Sequence, residues 1–241
     1  MLAQSVVADF QGRARFVSEN YGDSQLAKRF GVTFYPVLFV DDVLVSTPKD
    51  FYNENPNARG RYIPFQSAAS HDRFRADLTR MIDLVLAGKK ETARAEAAPG
   101  KMEAVAQLPA VTITDLDGRR LSREDLAGRA VLVEMWATWC PPCHGTLGWL
   151  GELKKRYGDR LAVVAVAVQS EEPNVRKLAG ELNLPLTWAM ATPELAQAFG
   201  DIAAVPTLFL FGPDGKAAGA FYGAPPTLHG EAEARLAALL K

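Results

Sequence analysis

Residues 130–145 read AVLVEMWATWCPPCHG, a buried-strand pattern that runs directly into both cysteines of the chain. AVLVEMW (130–136) is almost wholly apolar, which is typical of a strand buried in a parallel sheet. Cys140 and Cys143 follow in C-x-x-C spacing, and GTLGWLGELKKRYG (145–158) continues as an amphipathic helical pattern. The stretch therefore predicts a strand, a turn that carries the cysteines, and a helix, in that order.

The cysteine spacing fits two unrelated motifs. C-x-x-C is typical of a redox dithiol, whereas C-x-x-C-H, completed here by His144, is a site for covalent haem attachment. Haem would need His144 as an axial ligand, a second distal ligand and an apolar envelope around the porphyrin. The buried strand and the flanking WATWC are not required for haem and favour the redox interpretation. Zinc is disfavoured, because two cysteines and three scattered histidines make a poor set of four ligands.

In the redox interpretation, the chemistry follows from the junction between strand and helix. The unpaired amides and the dipole at a helix N-terminus stabilise a thiolate, so Cys140 is predicted to be the exposed, reactive cysteine. Cys143, one turn further on, is predicted to be less accessible and to resolve the mixed disulfide that Cys140 forms. Pro141 and Pro142 occupy the first helical turn, where proline is tolerated, and stiffen the loop between the sulfurs.

Glu134 interrupts the apolar strand six positions before Cys140. A buried carboxylate is costly unless it has a chemical role or a partner. With a raised pKa it would act as a base toward Cys143. The alternative is a carboxylate that pairs with a lysine or reaches solvent at the end of the sheet.

Length and composition exclude several functional classes. The chain has 241 residues, of which 48% are hydrophobic and 23% charged, enough for the cores of one or two domains. A net charge of −1 provides no basic field for nucleic acid, and no apolar run approaches the ~20 residues of a transmembrane helix. The first residues show no signal peptide, so the protein is either cytosolic or has lost an export segment.

The rest of the second half alternates strands with helices. VTITDLDGRRLS (111–122) is predicted to form a hairpin with a turn at Asp117-Gly118. LAVVAVAV (161–168) and TLFLF (207–211) are predicted strands with helical segments between them. This order predicts an α/β fold with a mixed central sheet flanked by helices.

The string VLVEMWATWCPPC (131–143) resembles the active-site strand and motif of the thioredoxin superfamily, especially its TlpA/ResA-like thiol-disulfide oxidoreductases. Residues 105–241 resemble that family from end to end, including the hairpin before the active-site strand. Val205-Pro206-Thr207 resembles the family's cis-proline loop, which packs beside the disulfide and contacts the substrate backbone. The resemblance therefore implies a thioredoxin-like fold.

The resemblance also implies roles for particular residues. Cys140, Cys143 and Glu134 are implied to be catalytic, Glu134 as the buried acid that relays a proton to the second cysteine. Thr146 departs from the family pattern, because many TlpA-like proteins carry an acidic residue at that position. No metal and no other cofactor is implied. The residues implied to contact substrate are Trp139, Pro141, Pro142, Val205, Pro206 and Thr207.

The resemblance implies an enzyme that exchanges a dithiol and disulfide with protein substrates and with a redox partner protein. The Pro141-Pro142 dipeptide indicates a reductant, since in TlpA-like relatives it accompanies reducing roles. A periplasmic or cell-envelope location is implied, and a cytoplasmic location is the alternative. The alternative function is a thioredoxin-like adaptor or chaperone whose dithiol is not catalytic.

An internal match connects the two halves of the chain. LAKRFG (26–31) is followed by Pro36-Val-Leu-Phe, and LAQAFG (195–200) is followed by Pro206-Thr-Leu-Phe. The shared order of helix, Phe-Gly, proline and strand indicates a duplication. Pro36 then matches Pro206, either as a second peptide-binding proline or as an ordinary proline at the start of a strand.

These patterns divide the chain into three parts. Residues 1–90 are predicted to form a divergent or truncated thioredoxin-like domain without cysteines, in which the long segment 46–65 is a candidate interaction surface. Residues 91–104, ETARAEAAPGKMEA, are predicted to be a linker, with the frayed end of a helix as the alternative. Residues 105–241 are predicted to be the TlpA-like domain.

Overall fold

The computed structural model describes residues 2–19, 24–32, 36–51, 61–63, 67–100, 105–200, 202 and 204–241. The chain divides into two compact units, Met1–Glu103 and Ala104–Lys241.

Helices dominate the described part of the first unit. One aromatic cluster, which includes Phe10, Tyr62 and Phe74, packs the first helix against the long fourth helix. The helices are α1 (Leu2–Ala8), α2 (Gln25–Arg29), α3 (Pro48–Phe51), α4 (Ala68–Leu86) and α5 (Lys90–Ala97), and a hairpin is formed by strands β1 (Leu38–Val40) and β2 (Val43–Ser46).

The predicted linker differs from the structure over its first half. Lys90–Ala97 is helix α5, and Ala93 and Ala97, one turn apart, are buried in a cluster with Val43 and Val45 of β2. Alanine is too small to give a strong apolar period, although it favours helix more than any other residue. The first compact unit therefore includes α5 and extends to Glu103.

Two substitutions on α5 test this packing. Ala93→Asp is expected to destabilise the protein by about 3–5 kcal/mol, because it places an unpaired charge in the cluster beside β2. Ala95→Asp, on the exposed side of the same helix, is expected to cost only about 0.7 kcal/mol of helix propensity. Urea unfolding of both variants measures the difference. Equal costs would support a linker over 91–97 and contradict the packed helix.

The described residues of segment 46–65 are buried or half-buried, and the interaction surface predicted for the segment as a whole stays a prediction. Asp50 pairs with Arg61 at 3.1 Å, and its other oxygen accepts hydrogen bonds from the amides of Thr47 (2.8 Å) and Gly100 (3.0 Å). Arg61 also donates to the carbonyl oxygens of Val45 and Ala97. The pair therefore ties the end of α5 to the β2–α3 corner. Residues 52–60 and 64–66 lie outside the described residues.

The second unit is a mixed five-stranded sheet with helices around it, which confirms the predicted fold class. The sheet order is β7-β6-β5-β8-β9, with β5, β6 and β7 parallel and β8 and β9 antiparallel to their neighbours. The elements are β3 (Ile113–Thr114), β4 (Arg120–Leu121), α6 (Arg123–Leu126), β5 (Ala130–Trp136), α7 (Pro141–Tyr157), β6 (Leu161–Ala167), α8 (Glu172–Leu182), β7 (Thr187–Met190), α9 (Pro193–Ala198), β8 (Thr207–Phe211), β9 (Ala217–Tyr222) and α10 (Leu228–Leu239).

The central position of β5 explains its continuous apolar pattern. The strand lies between β6 and β8, and all seven of its residues are buried. On one face, Leu132 packs in a cluster with Leu150 and Leu153 of α7. Further along, Trp136 packs with Leu147 of α7. The sheet thus holds the start of α7 directly after the end of its central strand.

The internal match has a structural counterpart. Helix α2 is followed by Phe30 and Gly31, and α9 is followed by Phe199 and Gly200; both glycines adopt the left-handed conformation, with φ of 62° and 86°. Each helix then leads to the first strand of an antiparallel hairpin, β1–β2 or β8–β9. The Tyr35–Pro36 peptide lies outside the described residues.

Candidate active site

The two cysteines are joined by a disulfide at the N-terminus of α7. Cys140 is the residue that caps the helix, with extended backbone, and Pro141 and Pro142 fill its first two positions. Cys143 lies in the same first turn and is fully buried, as predicted. Cys140 was expected to be exposed, yet only 4% of it is accessible, because the disulfide turns its sulfur toward Cys143. The exposed surface belongs instead to Trp139 (59%) and the two prolines.

The disulfide bears directly on the haem alternative. It joins the two sulfurs that covalent haem attachment would instead use, one in each thioether bond. His144, the proposed axial ligand, has its Nε2 3.2 Å from the carbonyl oxygen of Thr138. Both observations favour the redox interpretation of the motif.

Glu134 is buried completely in the middle of β5. Alternation along the strand places it on the same face as Leu132 and Trp136, and both of these pack against α7. Trp136 belongs to the cluster that contains Cys143. Glu134 therefore lies beneath α7, on the side of the sheet where the buried cysteine lies.

The Glu134 carboxyl has no hydrogen-bond partner among the described residues, for either oxygen. Burial raises the pKa of Glu134 well above its usual range. The alternative interpretations, a lysine partner or access to solvent, are therefore wrong within the described part of the chain. Burial therefore favours the protonated, neutral form of this acid.

The Val205–Pro206 peptide is cis. The loop is fixed from both sides: the Pro206 carbonyl oxygen accepts from the amide of Gly223 at 2.7 Å, and the Thr207 hydroxyl donates to the carbonyl oxygen of Ala204 at 2.8 Å. Pro206 and Thr207 are buried, whereas Val205 is half-buried and packs against the cluster of the two cysteines. The loop thus lies beside the disulfide, and Val205 is its partly accessible residue next to the cysteine cluster.

Trp139 is held against the loop that follows β6. Its Nε1–H donates to the carbonyl oxygen of Gln169 at 3.0 Å, while the amide of the preceding residue, Thr138, donates to the Ser170 hydroxyl oxygen at 3.0 Å. Gln169 and Ser170 were not among the predicted site residues. No motif could have identified them, because they lie 26 or more positions from the cysteines in an ordinary polar stretch.

Thr146, at the position where the family pattern favours an acid, is buried in α7. Its hydroxyl donates to the carbonyl oxygen of Pro142 at 3.3 Å, within the first turns of the helix. This hydrogen bond satisfies the hydroxyl but offers no titratable proton at neutral pH. Among the described residues, Glu134 is the only buried carboxyl group whose oxygens both lack hydrogen-bond partners.

The described residues include neither a membrane-spanning helix nor a cluster of metal-binding side chains. None of their helices combines the length and the apolar character that a membrane crossing requires. No group of three or more histidine, cysteine, aspartate or glutamate side chains among them is arranged to hold a metal ion.

Comparison with known proteins places the second unit in a family. The Redoxin family model matches residues 103–240. Thiol-disulfide oxidoreductase ResA of Bacillus thuringiensis (strain Al Hakam) is 26% identical over 117 residues, which cover 48% of this chain and 68% of that protein. Thioredoxin-like protein YneN of Bacillus subtilis (strain 168) is 38% identical over 81 residues, covering 32% of this chain and 48% of that protein.

A solved structure supports the fold. A Chlorobium tepidum crystal structure assigned as thiol:disulfide interchange protein DsbE has a TM-score of 0.52 and 23% identity, covering 58% of this chain and 100% of that one. At this identity the likeness establishes the thioredoxin-like fold alone. The Redoxin match and the ResA relatives show that this chain belongs to the redoxin family as a TlpA/ResA-like member of the thioredoxin superfamily.

Proposed function

We propose that this protein is a thiol-disulfide oxidoreductase that exchanges electrons between its Cys140–Cys143 pair and cysteines of protein substrates. One observation carries the proposal: the disulfide lies at a helix N-terminus, in a buried cluster that Val205 of the cis-proline loop packs against. A helix N-terminus stabilises the thiolate that exchange requires. ResA, which is named a thiol-disulfide oxidoreductase, supports the same assignment.

In the reducing direction, the reduced enzyme begins the reaction. The Cys140 thiolate attacks one sulfur of a substrate disulfide, which forms a mixed disulfide and releases the other substrate sulfur as a thiolate. Cys143 then loses its proton and attacks the Cys140 sulfur, which forms the Cys140–Cys143 disulfide and releases the second substrate thiolate. Two electrons thereby pass to the substrate, and a redox partner protein supplies two further electrons that reduce the Cys140–Cys143 disulfide again.

Glu134 would take the proton that Cys143 loses. A buried thiol does not ionise readily, since burial disfavours its charged form. Glu134 lies beneath the same helix, and its raised pKa makes the ionised carboxylate a better base than an ordinary glutamate. In the reverse, oxidising direction the protonated acid would return the proton to the Cys143 sulfur.

The direction of electron flow and the location are proposed from the family resemblance. The Pro141-Pro142 dipeptide supports a reductant, because TlpA-like relatives with this dipeptide have reducing roles. The same relatives support a periplasmic or cell-envelope location. The protein substrates would approach over Trp139 and the prolines, the exposed groups next to Cys140.

The first unit is proposed to be a divergent, cysteine-free thioredoxin-like domain. The succession of α2, Phe30-Gly31 and the β1–β2 hairpin supports this proposal, because α9, Phe199-Gly200 and the β8–β9 hairpin repeat it in the second unit. Without cysteines, this domain would contribute no dithiol chemistry of its own.

Insulin reduction tests the proposed function against its alternatives. With dithiothreitol as reductant, the purified protein is expected to reduce insulin catalytically, many turnovers per active site. An adaptor or chaperone would bind or protect unfolded protein without turnover, and that result would contradict the proposal. A visible absorption spectrum of the purified native protein separates the third possibility, because a Soret band would indicate covalent haem.

A further inference from the structure

The backbone of Thr138, which precedes Trp139 and Cys140, is hydrogen-bonded by two side chains from different parts of the fold. His144, in the first turns of α7, lies with Nε2 3.2 Å from the Thr138 carbonyl oxygen. Because a carbonyl oxygen only accepts, Nε2 must carry the hydrogen. On the other side, the Thr138 amide donates to the Ser170 hydroxyl oxygen at 3.0 Å. Both backbone polar groups of Thr138, the carbonyl and the amide, therefore have a side chain as hydrogen-bond partner.

The Ser170 hydroxyl is itself fixed in direction. It donates its single hydrogen to the Val168 carbonyl oxygen at 2.9 Å, which leaves its lone pairs for the Thr138 amide and the Thr138 hydroxyl (3.3 Å). Val168 in turn continues the pairing of β6 with β5, since its amide donates to the Trp136 carbonyl oxygen at 2.8 Å. Ser170 thus links the turn to the C-terminal ends of the internal strands β5 and β6.

Trp139 depends on the same loop. Its indole N–H donates to the carbonyl oxygen of Gln169, a residue held in the left-handed conformation with φ of 45°. That conformation is unfavourable for a non-glycine residue, so the surrounding contacts must maintain it. The consequence is an indole that is fixed at its nitrogen while 59% of the residue stays exposed.

We propose that His144 and Ser170 are positioning residues that fix Thr138. They thereby hold Trp139 in one orientation beside the disulfide, where its indole contacts protein substrates. The inference rests on the proposed function, which it extends to substrate recognition. It also gives the histidine of the C-x-x-C-H motif a task that involves no haem. Among the described residues, the hydrogen bonds of both side chains go to backbone or hydroxyl groups rather than to a sulfur. Their loss should therefore weaken substrate binding more than it alters the chemistry.

Paired variants test the inference through steady-state kinetics. Ser170→Ala and His144→Ala remove the contacts, whereas Ser170→Thr and His144→Gln keep a hydroxyl oxygen and an N–H donor in reach of Thr138. The alanine variants are expected to raise KM for insulin about three- to tenfold, as the loss of one hydrogen bond would. We expect kcat within about twofold of wild type, the rate with a small aromatic disulfide unchanged, and wild-type KM in both conservative variants.

Fluorescence provides a readout that does not depend on turnover. The Trp139 contribution is isolated by subtracting the signal of matched proteins that also carry Trp139→Phe. Acrylamide quenching of this contribution is expected to increase in both alanine variants and to stay at the wild-type level in the conservative ones. Circular dichroism confirms that each variant is folded.

The possible outcomes separate the two proposals. If wild type fails to reduce insulin, the proposed function fails, while the quenching result still decides whether His144 and Ser170 hold Trp139. If wild type is active but the alanine variants keep both its KM and its quenching, the inference is overturned. Equal losses with insulin and with the small disulfide would also overturn it, because they would indicate general damage to the dithiol site.

Discussion

Replacing Cys140 with serine is expected to lower the turnover of insulin reduction at least about a thousandfold. A serine hydroxyl is not ionised at neutral pH and cannot form a mixed disulfide, so both the attack and the intermediate are lost. The measurement is the initial rate of insulin reduction with dithiothreitol, corrected for the rate of dithiothreitol alone.

Cys143→Ser is the matched control for this experiment, because both variants lose the same cross-link and differ only in which sulfur remains. We expect the Cys143→Ser variant to react once with a substrate disulfide and then to stop at the mixed disulfide. The Cys140→Ser variant should not take even this first step. Wild-type turnover in the Cys140→Ser variant would contradict the assignment of Cys140 as the nucleophile.

Replacing Glu134 with glutamine is expected to slow turnover about a hundredfold, the usual contribution of a positioned general base. Glutamine has nearly the same size and fills the same place under α7, but it cannot take a proton from Cys143. Pre-steady-state kinetics should place the loss in the resolution of the mixed disulfide rather than in its formation. An unchanged rate of resolution would contradict the proton-transfer role.

The same substitution has an expected effect on stability with a defined sign. Burial raises the pKa of Glu134 in the folded protein above its value in the unfolded chain. Between these two pKa values the unfolded state loses the proton and the folded state keeps it. Wild-type stability therefore falls as pH rises through that interval, by up to about 1.4 kcal/mol per pH unit, and levels off above the folded pKa.

Glu134→Gln lacks this titration, so its free energy of unfolding should improve relative to wild type as pH rises above about 4.5. Denaturant unfolding at a series of pH values measures the difference. Glu152→Gln, at an exposed position on α7, is the control for the chemical change itself. Curves for Glu134→Gln and wild type that stay parallel at every pH would show that Glu134 is not buried in its protonated form.

The central features of the fold follow from short-range patterns in the sequence. Six apolar residues among the seven of AVLVEMW predict β5 as an internal strand, and the structure confirms it between β6 and β8. Prolines in the first turn and the amphipathic pattern that follows predict α7, which begins at Pro141. These elements could be predicted because each depends mainly on its own residues and on one buried face.

Other features depend on contacts between distant residues. Helix α5 packs through Ala93 and Ala97, whose small side chains give little periodic signal. Ser170 reaches Thr138 across 32 positions, through a hydrogen bond that exists only once β5 and β6 are paired. The low exposure of Cys140 likewise depends on the disulfide and the packed cluster around it, and helix position alone predicted the opposite.

Mass spectrometry of the Cys143→Ser variant after incubation with an oxidised protein substrate tests the central claim most directly. In this variant Cys140 is the only cysteine. We predict an adduct of one enzyme chain and one substrate chain, linked through Cys140 and released by dithiothreitol. If no reducible adduct forms under conditions in which wild type reduces the same substrate, Cys140 is not the residue that attacks, and the proposed exchange mechanism is wrong.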